Sequence, residues 1–266
     1  MDSIGQARTR AFIRLWTALV LVAIYLPILC GALAGLSKGR YFGFPVRAFS
    51  LEWWQKTVDS FEIHTLVQNS LLIALIVTVV SVFFAFFGAL AFARYDWKGR
   101  RLFQKVLLLP VFFPQPVLGL ALLLWFNALG ISPSWQTAVV AHLVWIVPVV
   151  TLVIAIQVYS FDPTLEEAAA DLGASRLFIL REVTLPILWP GIWSGALFAF
   201  LLSWGNFPLS LYTAGVDSTI PKWLYSKMVA GYTPMVPALG TMSTLAAAAL
   251  LLGGGAVLAI VRRRQA

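Results

Sequence analysis

Residues Val106–Phe161 read VLLLPVFFPQPVLGLALLLWFNALGISPSWQTAVVAHLVWIVPVVTLVIAIQVYSF, with no lysine, arginine, aspartate or glutamate. A helix that crosses the hydrocarbon layer of a membrane needs about 20 apolar residues at roughly 1.5 Å of rise each. This stretch has 56 residues, so it has to cross, turn and cross back. Asn127, Gly130, Ser132, Pro133 and Ser134 supply the turn, because these residue types break regular structure. Two spans are expected here, near 106–128 and 137–160.

Four more stretches lack all four charged residue types: Leu15–Ser37, Ile63–Ala93, Val183–Val216 and Met228–Val261. Each has room for one helix, which predicts six, near 13–36, 65–93, 106–128, 137–160, 187–212 and 238–261. Composition agrees: 60% of the chain is hydrophobic and 11% charged, against about a quarter charged in soluble domains. The expected class is an all-α integral membrane protein, one transmembrane domain over 1–266 with its core at 65–261. The apolar run after Arg8, Arg10 and Arg14 is longer than the about 7–15 residues of a signal peptide, and no small-x-small cleavage site closes it cleanly, so it reads as a retained first helix. Cys30 is the one cysteine, which excludes a disulfide within the chain.

The net charge of +8 comes without a basic stripe interleaved with stacking aromatics, so nucleic acid is not an expected partner. Segments 1–14, 94–105, 162–186 and 262–266 hold 13 of the 19 lysines and arginines. Cytoplasmic loops carry that excess, so both termini are expected in the cytoplasm; the bilayer is expected to be a bacterial inner membrane. Lys38, Arg40, Arg47, Lys56, Lys222 and Lys227 fall on the other side. The outer segment 37–62, with Trp53 and Trp54, is expected to form a partly helical cap at the interface.

No phosphate-binding loop, H-E-x-x-H or C-x-x-C pattern occurs, so no cofactor or metal is expected on this chain. No expected span holds a carboxylate for ion coupling. His64 and His142 stand alone in the sequence and read first as hydrogen-bonded packing residues. An enzyme would need a nucleophile and a base converging on one place, and neither histidine has an evident partner. A self-sufficient carrier or channel is the alternative to a subunit driven from outside.

Segment 162–186, between the fourth and fifth spans, carries the densest local signals. Asp162 or Thr164 can cap a first short helix, and Thr164-x-x-Glu167 has capping-box spacing. Gly173 can end that helix in a left-handed conformation, Ser175 can cap a second, and Pro186 then starts the fifth span. Ala168–Ala170 leave the first helix thin, suited either to a groove on another protein or to the membrane surface.

Glu167-Ala168-Ala169, Gly173 four positions later and Leu185-Pro186 resemble the EAA signature of permease subunits of binding-protein-dependent ATP-binding-cassette importers, with Val183 where isoleucine is usual. Asn69-Ser70-Leu71, Ala91-Phe92-Ala93-Arg94-Tyr95 and Leu109-Pro110 look like the same family. Phe49–Trp54 and Trp223–Ser226 are most similar to the second permease of spermidine/putrescine-type systems. The resemblance implies a permease pair, a cytosolic ATPase dimer that binds ATP and Mg, and a periplasmic binding protein that delivers a polyamine-like or other small polar solute. It implies an ATPase-coupling element at Glu166, Glu167, Ala168, Ala169, Asp171, Gly173, Leu185 and Pro186, with Glu167 meeting a basic residue of the ATPase and the alanines lying in its groove. It also implies a substrate path near the last three spans, where His142, Trp145, Gln157, Trp204, Asn206 and Tyr212 are candidates. Gly195, Gly205 and Pro208 are expected to loosen the fifth helix.

Overall fold

A computed structural model describes residues 3–39, 43, 45–46 and 48–265, and the side chains of 9–260 among them. Among the described residues there is no strand; one antiparallel bridge pairs Ser37 with Phe49. Five helical stretches are long and apolar enough to cross a membrane: Thr9–Leu36, Phe61–Arg94, Trp135–Ser160, Arg176–Trp204 and Met235–Ile260. A bent pair, Arg100–Phe112 with Gln115–Ala128, makes a sixth if counted as one span. The protein is an all-α membrane protein.

The chain packs as two compact units. The smaller comprises the chain up to Ile63 and Leu224–Ala248. It holds α1 (Ser3–Leu36) and α2 (Glu52–Asp59). Gly35 of α1 lies so close to the backbone at Pro237 and Ala238 that a Cβ would come within 3.0 Å. Within 37–62, expected to be partly helical, Glu52–Asp59 forms α2, where Lys56 donates to Glu52 at 2.7 Å and lies over the Trp53 ring. Residues 40–42, 44 and 47 of that segment, with Arg40 and Arg47, lie outside the described residues.

The larger unit comprises His64–Trp223 and the chain from Ala249 on. Its helices are α3 (Phe61–Ala89), α4 (Arg100–Leu108), α5 (Gln115–Ala128), α6 (Trp135–Ser160), α7 (Thr164–Asp171), α8 (Arg176–Ile179), α9 (Leu185–Trp204) and α10 (Phe207–Thr213). After them come α11 (Ile220–Ala230) and α12 (Met235–Gln265). The core lies along α6, where Ile146, Val150 and Ile154 are fully buried with Ile73 and Val77 of α3 and Leu188 of α9. Gly191, Gly195 and Ala199 form a stripe of buried small residues on α9, which lets its backbone approach α6. Gly195, expected to loosen this helix, packs instead, with Ile154 and Val150 about 3.1 Å from where its Cβ would be.

Three expected boundaries change. The helix expected over 106–128 bends by 102° between Phe112 and Gln115. Pro110 lies within a 3₁₀ turn, Leu109–Phe112, and Pro114 and Pro116 follow it at the start of the next helix, where a missing N–H costs no ladder bond. The helix expected over 187–212 is broken: α9 ends at Trp204, and Asn206 caps α10 by accepting from the Leu209 N–H at 3.1 Å. Pro186 does not start the fifth span either. Helix runs on from Arg176 through a π-turn, Leu180–Thr184, whose wider ring accommodates the proline after it.

Candidate functional site

The segment between the fourth and fifth spans is built largely as its residues dictate. Asp162 accepts from the Thr164 N–H at 3.0 Å, and this bond holds its carboxyl below the usual range. It, rather than Thr164, supports the first turn; Thr164 is the first helical residue of α7, and no capping box forms. Gly173 takes φ +84°. Its N–H reaches Ala170 O at 2.9 Å and the Ala174 N–H reaches Ala169 O at 3.1 Å, the two bonds of a Schellman end. Ser175 caps α8 by accepting from Phe178 N at 3.3 Å.

Glu166 and Glu167 both sit in the first turn of α7, where the helix dipole favours negative charge. They part company there. Glu167 and Ala168 are exposed, Ala169 is half-buried, and Asp171 and Gly173 are exposed. Leu172 beside them is 90% exposed. Glu166 turns inward. Its Oε2 accepts from Arg94 Nη2 at 2.6 Å and its Oε1 accepts from Thr184 Oγ1 at 2.6 Å. The side chains of Arg94 and Glu166 are 15% and 25% exposed, and Thr184 is 3% exposed.

Both partners of Glu166 close a π-turn. Leu90–Arg94 ends α3 in one, with Tyr95 N donating to Leu90 O at 3.1 Å; Leu180–Thr184 is the other, with Leu185 N donating to Leu180 O. One extra residue in a turn rotates the residues after it by about 100°, and such bulges recur at functional sites. The end of α3 is tied down besides: Arg100 Nε and Gln104 Nε2 donate to Phe92 O at 3.1 and 2.9 Å, and Trp97 Nε1 donates to Ala91 O at 3.0 Å. The Arg94 guanidinium lies 5.1 Å from the ring centre of Phe161, just past α6. A cleft of about 360 Å³ opens here, lined by Leu90, Tyr95, Glu166, Arg176 and Thr184 among others. Leu185 is half-buried and Pro186 exposed at the start of α9.

Residues expected along a substrate path are not gathered round this cleft. His142 is fully buried, with Nδ1 2.9 Å from Ser203 Oγ and Nε2 3.0 Å from Ser210 Oγ, so both ring nitrogens are engaged. It pins α6 to both sides of the α9–α10 break. Asn206 is spent on capping α10. Gln157 packs against Gly191, and Tyr212 against Gly119 of α5. Trp204 stacks on Phe200 at 5.8 Å. Trp145 is half-buried, and its enclosed Nε1 has no hydrogen-bond partner. Sequence reasoning missed Arg94 and Thr184 as partners of Glu166. Nothing in the spacing marks Thr184, and Arg94 stood out only within a resemblance.

The family model for the binding-protein-dependent transport system inner membrane component matches residues 28–266. The chain belongs to that family. It is a membrane-spanning permease subunit of an ATP-binding-cassette importer. Among relatives, the spermidine/putrescine transport system permease protein PotC of Haemophilus influenzae is 31% identical over 223 residues, 82% of this chain and 85% of that protein. The putrescine transport system permease protein PotI of Escherichia coli is 29% identical over 202 residues, 73% of this chain and 72% of that one. Among solved structures, a bacterial ABC transporter importing the acidic polysaccharide alginate matches with TM-score 0.72 at 19% identity, covering 94% of this chain and 96% of that one. The MetNI methionine ABC transporter in an inward-facing conformation matches with TM-score 0.61 at 21% identity, covering 76% and 99%. At these identities the two structures speak for the fold.

Proposed function

We propose that this permease works as one of two membrane subunits, most simply a heterodimer, driven by a cytosolic ATPase dimer that docks on α7. The observation that carries the reading is the division of labour in the first turn of α7. Glu166 is engaged within the chain, while Glu167 and Ala168 face outward beside the exposed Leu172. A carboxylate next to small and apolar side chains suits a groove with a basic rim. ATP and Mg belong to the ATPase, and this chain needs no cofactor of its own. The excess of lysine and arginine on the side of 94–105 and 162–186 supports placing α7 and both termini in the cytoplasm.

A periplasmic binding protein delivers the solute to the outer face, and ATP-driven closure below switches the pair between inward-facing and outward-facing states. The chain acts as one permease domain with its core at 65–261. The relatives named for spermidine and putrescine support a polyamine-like solute; another small polar organic solute suits spans that hold no carboxylate at mid-depth. Calorimetric titration of the companion binding protein with spermidine and putrescine decides between these. For the docking surface the test is Glu167→Lys. The variant inserts in the membrane at normal levels but no longer co-purifies the ATPase. Full co-purification and transport would overturn the assignment.

A further inference from the structure

We infer that the Glu166 carboxylate is a latch through which movement of α7 reaches the membrane spans, with Arg94 and Thr184 as its two keepers. The inference rests on the reading of α7 as the docking helix and goes beyond it, since Glu167 makes the outward contact and Glu166 the inward one. α7 has eight residues and none is buried, so apolar packing alone holds it weakly to the rest of the chain. A charge-assisted bond to Arg94 Nη2 and a hydroxyl bond from Thr184, both 2.6 Å, supply the directional grip that packing lacks. Such bonds weaken steeply with distance and angle, so a displaced α7 either takes its keepers along or breaks both bonds.

The keepers belong to different spans. Arg94 is the last residue of the π-turn that ends α3, and its guanidinium also covers Phe161 at the end of α6. Thr184 is the last residue of the π-turn leading into α9. One carboxylate therefore joins the ends of the second, fourth and fifth spans. Both π-turns serve this geometry: without the extra residue, Arg94 and Thr184 would each be rotated by about 100° away from Glu166. α9 bears directly on α6 through Gly191 and Gly195, so a pull at Thr184 is passed into the packed core. Glu166, Arg94 and Thr184 are positioning residues; none has to touch solute or nucleotide.

The test uses the assembled transporter, with sister permease and ATPase dimer, in lipid nanodiscs, and ATP with vanadate as the probe. One pair of spin labels spans the two ATPase subunits and reports their closure. A second pair joins Val216, 94% exposed in an outer loop, to the matching loop of the sister permease. In the parent protein both pairs switch together. In Glu166→Gln and in Thr184→Val the ATPase pair still switches, and the fraction of outer pairs that switches with it falls, about tenfold in Glu166→Gln, the factor for trading a charge-assisted bond for a neutral one. The swap of Arg94→Glu with Glu166→Arg recovers part of that fraction, which a general packing defect would not do. The latch is overturned if the outer pair still switches with the ATPase pair in both single variants. It is equally overturned if Glu166→Gln sheds the ATPase, since Glu166 would then be a docking contact. Retention of the ATPase by Glu167→Lys sinks the docking reading instead, so the two failures are distinguishable.

Discussion

Replacing Gly191 by alanine adds one methyl group where α9 lies closest to α6, and two opposing magnitudes set the outcome. Alanine is favoured over glycine in a helix by about 1 kcal/mol. Against that, the new Cβ would lie 2.7 Å from Gln157 Cβ, where carbon atoms rest at about 3.5–4.0 Å. Gln157 Cβ is the root of its side chain and no rotamer change moves it, so the helices must part by about 1 Å. Overpacking of this kind costs about 1–3 kcal/mol, and the rigid contact puts it near the top, for a net loss of about 2 kcal/mol. Thermal unfolding in detergent, followed by the fluorescence of the 11 tryptophans, should show the midpoint lowered by roughly 4–8 °C. Gly195→Ala should lose less, because the Ile154 and Val150 Cγ1 atoms at 3.1 Å can yield. Gly253→Ala, with nothing within 4 Å, should match or slightly exceed the parent. If Gly191→Ala melts with Gly253→Ala, the α6–α9 seam is not the close contact described, and the reasoning is refuted.

The pin at His142 is open to a double-mutant cycle with Ser210→Ala, which should give a coupling of about 0.6 kcal/mol, the average for hydrogen bonds between membrane helices, and at most about 1.7; additivity would mean the bond contributes nothing. Gly215→Ala should destabilise by about 3 kcal/mol, because the added Cβ falls 2.0 Å from Pro133 O at a φ of +55°; a midpoint equal to that of the parent would contradict the packing of these two turns. The Asp162 carboxyl is held below its ordinary value by the Thr164 N–H, so its support of α7 is present at neutral pH and lost as pH falls through the lowered value. Hydrogen exchange at the Thr164 amide, corrected for intrinsic rate, should therefore accelerate only once the pH has fallen below the ordinary aspartate range, and an Asp162→Asn variant should show no such step.

Two kinds of information separate cleanly in this chain. Apolar length is a one-dimensional property, and lipid leaves a long uncharged run little choice except helix, since each backbone polar group must bond within its own segment. The crossings, the turn at 127–134 and the left-handed end at Gly173 were therefore legible from residue order alone. So was Ser175 as a cap, because capping and helix termination depend on neighbours within a few positions. What residue order left undecided depends on partners distant in sequence. The bend at 113–114 and the smooth run past Pro186 hinge on whether surrounding helices make up for the lost N–H groups. The roles of Gly195 and His142 hinge on what lies opposite them, Ile154 in one case and two serines in the other. Most of all, Glu166 and Glu167 are adjacent carboxylates that no local rule tells apart. Helix rotation points one outward, and it brings the other to Arg94 and Thr184, 72 and 18 residues away in the chain, at a place that exists only once α3, α6 and α9 have packed.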